Sequence, residues 1–548
     1  MMSHCSTMFS MLWMTLFALA CSDDPEGFGS KSTDTSVASE DSGHVEDTAS
    51  ESCTDTDSDT GEEPTCDVCP ESSVAIMREI EPDSLVTDVE RTTHNPLKGF
   101  MTSYLWGEPY TDFPDQMEFL YLPMSQLWDE DGATLDAGLE PYMVAAEERG
   151  HHAVLRVFID YPNRDYGLPE YLWDSVSCSP YSEYGGGCSP DYDHPELVEA
   201  MLGLIAALGE RYDGDPRMGF VQLGMLGFWG EWHTYPHTEW FPSSDTQRSV
   251  LEAYDSAFSV TELQVRRAAE HSVGLRMGFH DDSFAYSTIG GEAWFFQPGL
   301  EAAGAADRWQ EVAIGGELRP ELQSSVFNDD YVLGPFSQDV SECIDATHAT
   351  YLLNYYAFNG DGYGYLGDAR TRAEQAALQM GYQFEIQRAV LNVSGLQDRK
   401  VNAQLEIDIK QTGVAPFYYP VFVQARLDGP SDAVVDEEDL QSLLPGEQKT
   451  VSIDFGIIEV EQLLQTIDVD LYSSVLQDSQ SLDLATNTPW SDVFGPTVLN
   501  WDFGCDLDGT NVGVGDVVGQ TEEGCDCLCD VDGSFSSCGG AACVPASE

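Results

Sequence analysis

Between about residues 85 and 390, short apolar runs alternate with longer stretches of helical periodicity, and this alternation constrains the fold more than any other feature. The runs predict strands at 99–106, 118–128, 152–160, 219–229, 274–280, 311–318, 350–356 and 384–391. Helical stretches at 135–150, 194–212, 246–272 and 368–381 separate several of them. Within 194–212, Leu197, Met201, Leu204, Ile205 and Leu208 recur at three- and four-residue spacing, which puts them on one helix face. Pro195 suits the first turn of that helix, where a missing N–H costs nothing. Strands joined through helices run parallel in one sheet. Eight of them suit a closed (β/α)8 TIM barrel better than an open α/β sheet.

The flanking segments read differently. KVNAQLEIDIKQTG, YYPVFVQARLDG, QKTVSIDFG and TIDVDLYSS alternate apolar with polar residues, the pattern of a half-solvated antiparallel sheet. They predict a C-terminal antiparallel β-sandwich over 391–500, after a barrel over 85–390. Residues 501–548 form a Cys-, Gly- and Asp-rich tail. Residues 22–84 open with Ser, Thr, Asp, Glu and Gly and almost nothing apolar up to 73. Such a chain cannot bury enough surface to offset its ordering entropy and reads as an acidic tether.

MLWMTLFALAC (Met11–Cys21) is too short to span a bilayer and resembles the apolar region of a bacterial lipoprotein signal, residues 1–21, with Cys21 as the lipidated residue. It departs from that pattern in having no Lys or Arg ahead of the run, and Ala18 where Leu is usual. Export to the cell envelope, with the membrane reached only through that lipid, is the expectation. The charge agrees in part: 23 basic against 96 acidic residues, a net of −73, excludes nucleic acid and electrostatic binding to anionic lipid.

Cysteine use fits an oxidising compartment. Of 14 cysteines, Cys5 and Cys21 belong to the leader and the rest form an even set, expected as disulfides. Cys178 and Cys188, bracketing SPYSEYGGG, are the nearest local pair. The tail CDCLCDVDGSFSSCGGAAC lacks the C-x2-C spacing and histidines of a zinc site. No metal and no cofactor are expected.

In a (β/α)8 barrel, chemistry sits where strands end and βα loops begin. The fourth candidate strand runs into LGFWGEWH, with Trp229, Glu231, Trp232 and His233. The fifth ends in His280, Asp281 and Asp282, and the sixth in Glu317. The third carries Arg156 and ends in Asp160; the seventh carries Asn354 and Tyr355. Two facing carboxylates suit glycosidic cleavage, one protonating the leaving oxygen and the other attacking the anomeric carbon or activating water. Aromatic faces pack on sugar rings. Glu231 between two tryptophans has a route to a raised pKa and hence to the acid role. Glu317 is expected as nucleophile or base, with Gly315-Gly316 allowing close backbone approach to a ligand. A lone Glu after a strand is more often a surface or capping residue; the adjoining aromatics and His233 raise the weight of the functional reading. His280, Asp281 and Asp282 suit a substrate-bonding shelf, a helix cap or, with a further histidine such as His233 or His348, a metal hydrolase.

NPLKGF (95–100), LGFWGEWH (226–233), FHDD (279–282), GGEL (315–318) and YLLNYY (351–356) together resemble the bacterial domain-of-unknown-function family 4832 and its N-terminal partner, family 4874. The resemblance covers roughly residues 90–500. It implies an exported barrel similar to the clan A glycoside hydrolases, followed by a β-sandwich. In that clan the acid/base glutamate follows strand four in an Asn-Glu pair, matching Glu231 with Gly230 in place of Asn; the nucleophile follows strand seven, whereas Glu317 falls after the sixth candidate strand. The expected function is that of a surface-anchored glycoside hydrolase-like protein acting on polysaccharide. The alternative is a carbohydrate-binding lipoprotein that keeps the cleft without the chemistry.

Overall fold

The computed structural model describes residues 75–79 and, short breaks apart, 85–487, with isolated short strands between 504 and 537. The expected signal, Cys21 and most of the tether lie outside the described residues, as do the side chains of the Cys-rich tail. No helix among the described residues is long and apolar enough to cross a membrane.

Eight parallel strands make the central sheet: β1 (Gly99–Met101), β2 (Met117–Pro123), β3 (His152–Phe158), β4 (Met218–Gln222), β5 (Glu262–Val265), β6 (Gly278–Phe284), β7 (Ile314–Leu318) and β8 (Tyr351–Leu353). Their order is β1-β8-β7-β6-β5-β4-β3-β2. A parallel bridge between Thr102 and Glu118 joins the two ends, with the Phe119 N–H donating to the Thr102 carbonyl at 2.8 Å. The sheet therefore closes into a (β/α)8 barrel. Helices α1 (Glu140–Arg149), α2 (Pro195–Tyr212), α3 (Ser244–Ala257), α4 (Phe296–Ala302), α5 (Val340–Thr347) and α6 (Asp368–Gln379) accompany the strands. The apolar stripe of α2 is buried, as its spacing requires.

Two strands correct the sequence reading, and together they move the site. β5 lies inside the stretch 246–272 read as one helix; α3 ends at Ala257. Leu263 and Val265 pack into the core that α2 and α3 cover, while Gln264 bonds Tyr351, which also bonds Gln222 of β4. A four-residue strand with two polar inward positions offers no apolar run to announce it. Conversely, 384–391 is no barrel strand; it opens β9 (Phe384–Gln397) of the sandwich. His280–Asp282 thus belong to β6, inside the strand and not past its end, and Glu317 belongs to β7.

The sandwich is built from β9, β10 (Lys400–Gln411), β11 (Phe422–Leu427), β12 (Gln448–Glu459) and β13 (Ile467–Tyr472). A strand at Ala75–Glu79, inside the segment read as tether, pairs antiparallel with β9. β9, β10 and β12 form one sheet; β11 and β13 pair in a second. From Val401 to Gln411, buried residues alternate strictly along β10. Cys178 and Cys188 are disulfide-bonded, but Cys343, counted among the expected disulfide partners, is a free thiol buried on α5.

The sandwich seals the N-terminal end of the barrel. One apolar core runs from Phe220 and Tyr351 into Ile407, Phe417 and Val469. The Tyr419 hydroxyl donates to the Gly219 carbonyl and accepts from the Glu262 N–H at 3.1 Å. The His152 Nε2–H donates to the Val475 carbonyl at 2.9 Å, and its Nδ1 accepts from Gln480 at 3.0 Å. The opposite end, where the strands terminate in βα loops, stays open.

Candidate active site

After β4 the chain coils through Met225, Gly227, Trp229, Gly230 and Trp232, all at positive φ (67°, 81°, 56°, 68° and 56°). L-residues adopt this region rarely, so the coil persists only because its surroundings dictate it. The Met225 N–H donates to the Val157 carbonyl at 2.6 Å, the Trp229 N–H to the Asp160 carbonyl at 2.8 Å, and the Trp232 N–H to the Leu226 carbonyl at 3.0 Å. The Tyr121 hydroxyl donates to the Trp229 carbonyl. At Gly227 a Cβ would lie 2.4 Å from the His233 carbonyl oxygen, so no other residue fits there. The coil separates the two tryptophans. Trp232 is directed into the core behind it, 7 % exposed, its indole N–H donating to the Leu223 carbonyl at 2.7 Å. Trp229 is half-buried at the rim, edge-on to Tyr184 at 4.9 Å. Between them Glu231 keeps a side chain 20 % exposed.

Beneath Glu231, the barrel centre holds an ionic cluster around Arg156. Its Nε donates to Gln222 at 2.8 Å and an Nη to Asp282 at 2.6 Å; the other Nη lies 3.9 Å from Glu231. Arg266, at the end of β5, brings its Nε within 3.3 Å of Asp282 and an Nη within 3.5 Å of Asp281. Burial works against both charges of the Arg156–Asp282 pair, but each partner more than offsets it. The Asp282 carboxyl is held well below the usual range, by Arg156 foremost, then His280 and Arg266. His280, 3.1 Å from Asp282, is pushed down to about 4 by burial and stays neutral. Asp281, beside Arg266, also accepts from Thr288 at 2.8 Å. These three residues are therefore committed to Arg156, Arg266 and Thr288. His348 stacks on Trp309 at 3.4 Å and bonds the Val414 carbonyl, remote from His280. Among the described residues no group of three or more His, Cys, Asp or Glu could hold a metal ion.

Glu317 reaches the same end of the barrel from β7. A Cβ at Gly315 would sit 2.5 Å from the Tyr351 ring, and one at Gly316 would sit 2.2 Å from the Asp281 carbonyl oxygen. The two glycines thus let β7 close against β6 and Tyr351; they serve the barrel wall, not the ligand approach expected of them. The Glu317 carboxyl is raised well above its ordinary range, first by burial and then by the charges of Asp282 and Glu231, with Arg156 and Arg319 opposing. Glu231 and Glu317 are therefore close enough to feel one another. Tyr161 senses both, and Tyr355, edge-on to Trp106 at 6.4 Å, senses Glu317. His233 places Nε2 3.4 Å from Glu231.

Besides Trp232, two predicted residues stand apart from Glu231 and Glu317. Asp160 is 1 % exposed behind the Glu231 coil, accepts from the Tyr181 hydroxyl at 2.5 Å, and is pushed up to about 7 by burial. Asn354 is fully buried, its amide donating to Tyr365 at 3.3 Å. Conversely, the sequence reading missed Tyr161, Tyr184, Arg266 and Arg319. Arg266 was hidden with β5; the signal was the period of two in Glu262-Leu263-Gln264-Val265. The two tyrosines lie on loops, where periodicity is silent.

No protein-family model matches the chain, and no curated protein matches it. Among solved structures it is similar to endo-glycoceramidase II from Rhodococcus sp., at 14 % identity and a TM-score of 0.33 over 66 % of this chain and 97 % of that one. It is similar also to GH5_18 from Bifidobacterium longum subsp. longum, at 15 % and 0.30 over 48 % and 70 %. Xylanase XynB from Paenibacillus barcinonensis matches at 12 % and 0.28 over 49 % and 86 %. At such identities and scores nothing of the chemistry transfers, and the barrel stands on its own strand order.

Proposed function

We propose that the chain is a glycoside hydrolase-like protein, akin to family 4832, exported and held at the bacterial cell surface by a lipid on Cys21, and acting on polysaccharide. One observation supports the catalytic part: Glu231, past β4, and Glu317, on β7, stand at the same end of the barrel, each acted on by Arg156 and by the other's charge. Such a pair can protonate the glycosidic oxygen and supply the nucleophile or base. Trp229, Tyr184 and Tyr355 offer faces for sugar rings. Arg156 holds the floor, and Asp282, Asp281 and His280 hold Arg156 and Arg266.

Burial and two neighbouring acids favour the proton on Glu317. Glu231 instead has Arg156 and His233 beside it. Either carboxyl can serve as the proton donor, with the other as nucleophile or base. Glu231→Gln and Glu317→Gln, assayed by reducing-end release on a glycan panel, test the pair: each is expected to lose turnover by about 10²–10⁴-fold. A variant retaining full turnover removes its residue from the mechanism. Aryl glycosides with an activated leaving group separate the roles, since the acid-deleted variant alone regains cleavage on them. Gly230, standing where clan A carries Asn, favours the second reading, carbohydrate binding without turnover. That reading holds if the wild type binds a glycan it never cleaves.

A further inference from the structure

Large apolar side chains are exposed along one side of the open rim. On the loop after β7, Val332 is 78 % exposed, Leu333 59 % and Phe336 43 %; on the loop after β6, Trp294 is 59 % exposed. Trp294, Phe336 and Tyr286 form a connected ridge, and Val332 and Leu333 stand exposed on the same loop as Phe336. Phe336 lies parallel to Trp294 at 6.2 Å and against Tyr286 at 5.1 Å. Tyr286 carries the Arg319 guanidinium 4.9 Å from its ring centre, and Arg319 is two residues from Glu317. Arg319, whose charge also acts on Glu317, thus links the ridge to that residue. Apolar residues scattered singly need no explanation, but a contiguous patch beside a cleft marks a binding surface.

The chemistry of the ridge narrows its occupant. Sugar rings select flat aromatic faces with polar edges. Val332 and Leu333 present branched aliphatic tips at the outer end, which hydrogen-bond nothing and match methylene groups. A protein of net charge −73 repels anionic headgroups. We propose that the ligand of this site is an amphiphile: a neutral sugar joined to an alkyl or acyl chain, the sugar at Glu231 and Glu317 and the chain along Trp294, Phe336, Val332 and Leu333. This rests on the carbohydrate reading above and narrows it from polysaccharide to a sugar with an apolar tail.

Calorimetric titration of the full chain with methyl, octyl and dodecyl glycosides of glucose, galactose and mannose, each below its micelle concentration, tests it. Binding of one sugar series is expected to tighten by on the order of tenfold or more from methyl to octyl, since each buried CH₂ contributes a factor of about four. Val332→Asp/Leu333→Asp, and separately Trp294→Ser, should abolish most of that gain and leave methyl glycoside affinity unchanged; all are exposed positions, and an unaltered melting curve confirms folding. Methyl and octyl glycosides binding alike would overturn the proposal and leave the carbohydrate reading standing. A dodecyl poly(ethylene glycol) ether, which has a chain and no sugar, binding as tightly as the glycosides would overturn both. So would the absence of binding by every probe.

Discussion

The two ends of the barrel are built on opposite rules. At the sealed end, long side chains tie the barrel together: Arg149 donates three bonds to Glu118 at 2.7–3.1 Å, Lys98 caps the Leu378 and Tyr382 carbonyls at 3.0 and 2.9 Å, and His152 bridges to the sandwich. At the open end, Met225, Trp229 and Trp232 hold left-handed backbone, Glu317 and Glu231 act on one another by charge, and apolar side chains face water. The strained coil and the Glu231–Glu317 pair sit where ligands can reach them, on a wall that the closed end makes rigid. The sandwich therefore serves as a base for the barrel and lies on the wrong side to touch a ligand at Glu231 and Glu317.

The largest effect should come from the group that joins the two regimes. Arg156 is 2 % exposed and its partner Asp282 4 %. Arg156→Met leaves Asp282 charged and buried, and is expected to cost about 3–5 kcal/mol in urea unfolding at neutral pH. Arg156→Met/Asp282→Leu should recover much of that loss while binding stays impaired, because the floor under Glu231 is gone. If the single variant unfolds like the wild type, the cluster is not the hub described.

A pair of acids, one buried and one half-buried, sharpens the comparison. Glu262, at the sealed end, is pushed up to about 7 by burial, and Glu317 at the open end is raised as well. A carboxyl whose folded pKa exceeds its unfolded value holds a proton the unfolded chain releases. Its stabilising effect is complete below the unfolded pKa and is lost as pH rises through the folded one. Glu262→Gln should therefore raise stability at pH 8 by roughly 2–3 kcal/mol over wild type, with the gain fading toward pH 4.5, and leave ligand binding and turnover intact. Glu317→Gln should also stabilise at pH 8 but abolish turnover. His152, pushed down to about 4 by burial, acts in the other direction. Its contribution is complete above about 6.5 and is lost as pH falls toward 4. Denaturation midpoints at pH 4.5, 6.5 and 8 separate these slopes, and a wild-type-like slope in Glu262→Gln would remove Glu262 from the account.

What was legible in the sequence follows from where the signal came from. α2 and β10 were readable because each buries one face, and a one-sided element writes its period into the chain. β5 was not, because Glu262 and Gln264 face a polar barrel interior and interrupt the apolar run. β9 looked like a barrel strand because a half-buried strand has the same pattern whichever sheet it joins. Glu231 and Glu317 were picked from residue type at strand ends, and the structure places both at the open end of the barrel. The commitments of Asp160, Asn354 and Trp232 to Tyr181, Tyr365 and Leu223 are contacts between distant residues or within a coil, which no local pattern records.

The smallest global effect, and the most local, is expected at the Cys178–Cys188 hairpin, whose disulfide spans a sequence separation of 10. Loop closure of that length gives at most about 3 kcal/mol, and less where the hairpin opens without the barrel. Its contacts are specific, however. Tyr181 lies 4.5 Å from the Phe228 ring, Tyr184 4.9 Å from Trp229, and Glu183 3.4 Å from His237. These brace the coil that presents Glu231 against its own left-handed backbone. Cys178→Ser/Cys188→Ser should leave the global denaturation midpoint nearly unchanged yet speed amide exchange from Phe228 to His233, and weaken ligand binding severalfold. Unchanged exchange in that segment would mean that β3 and the Asp160 carbonyl hold the coil alone, and that the strain at the open end is carried by the barrel itself.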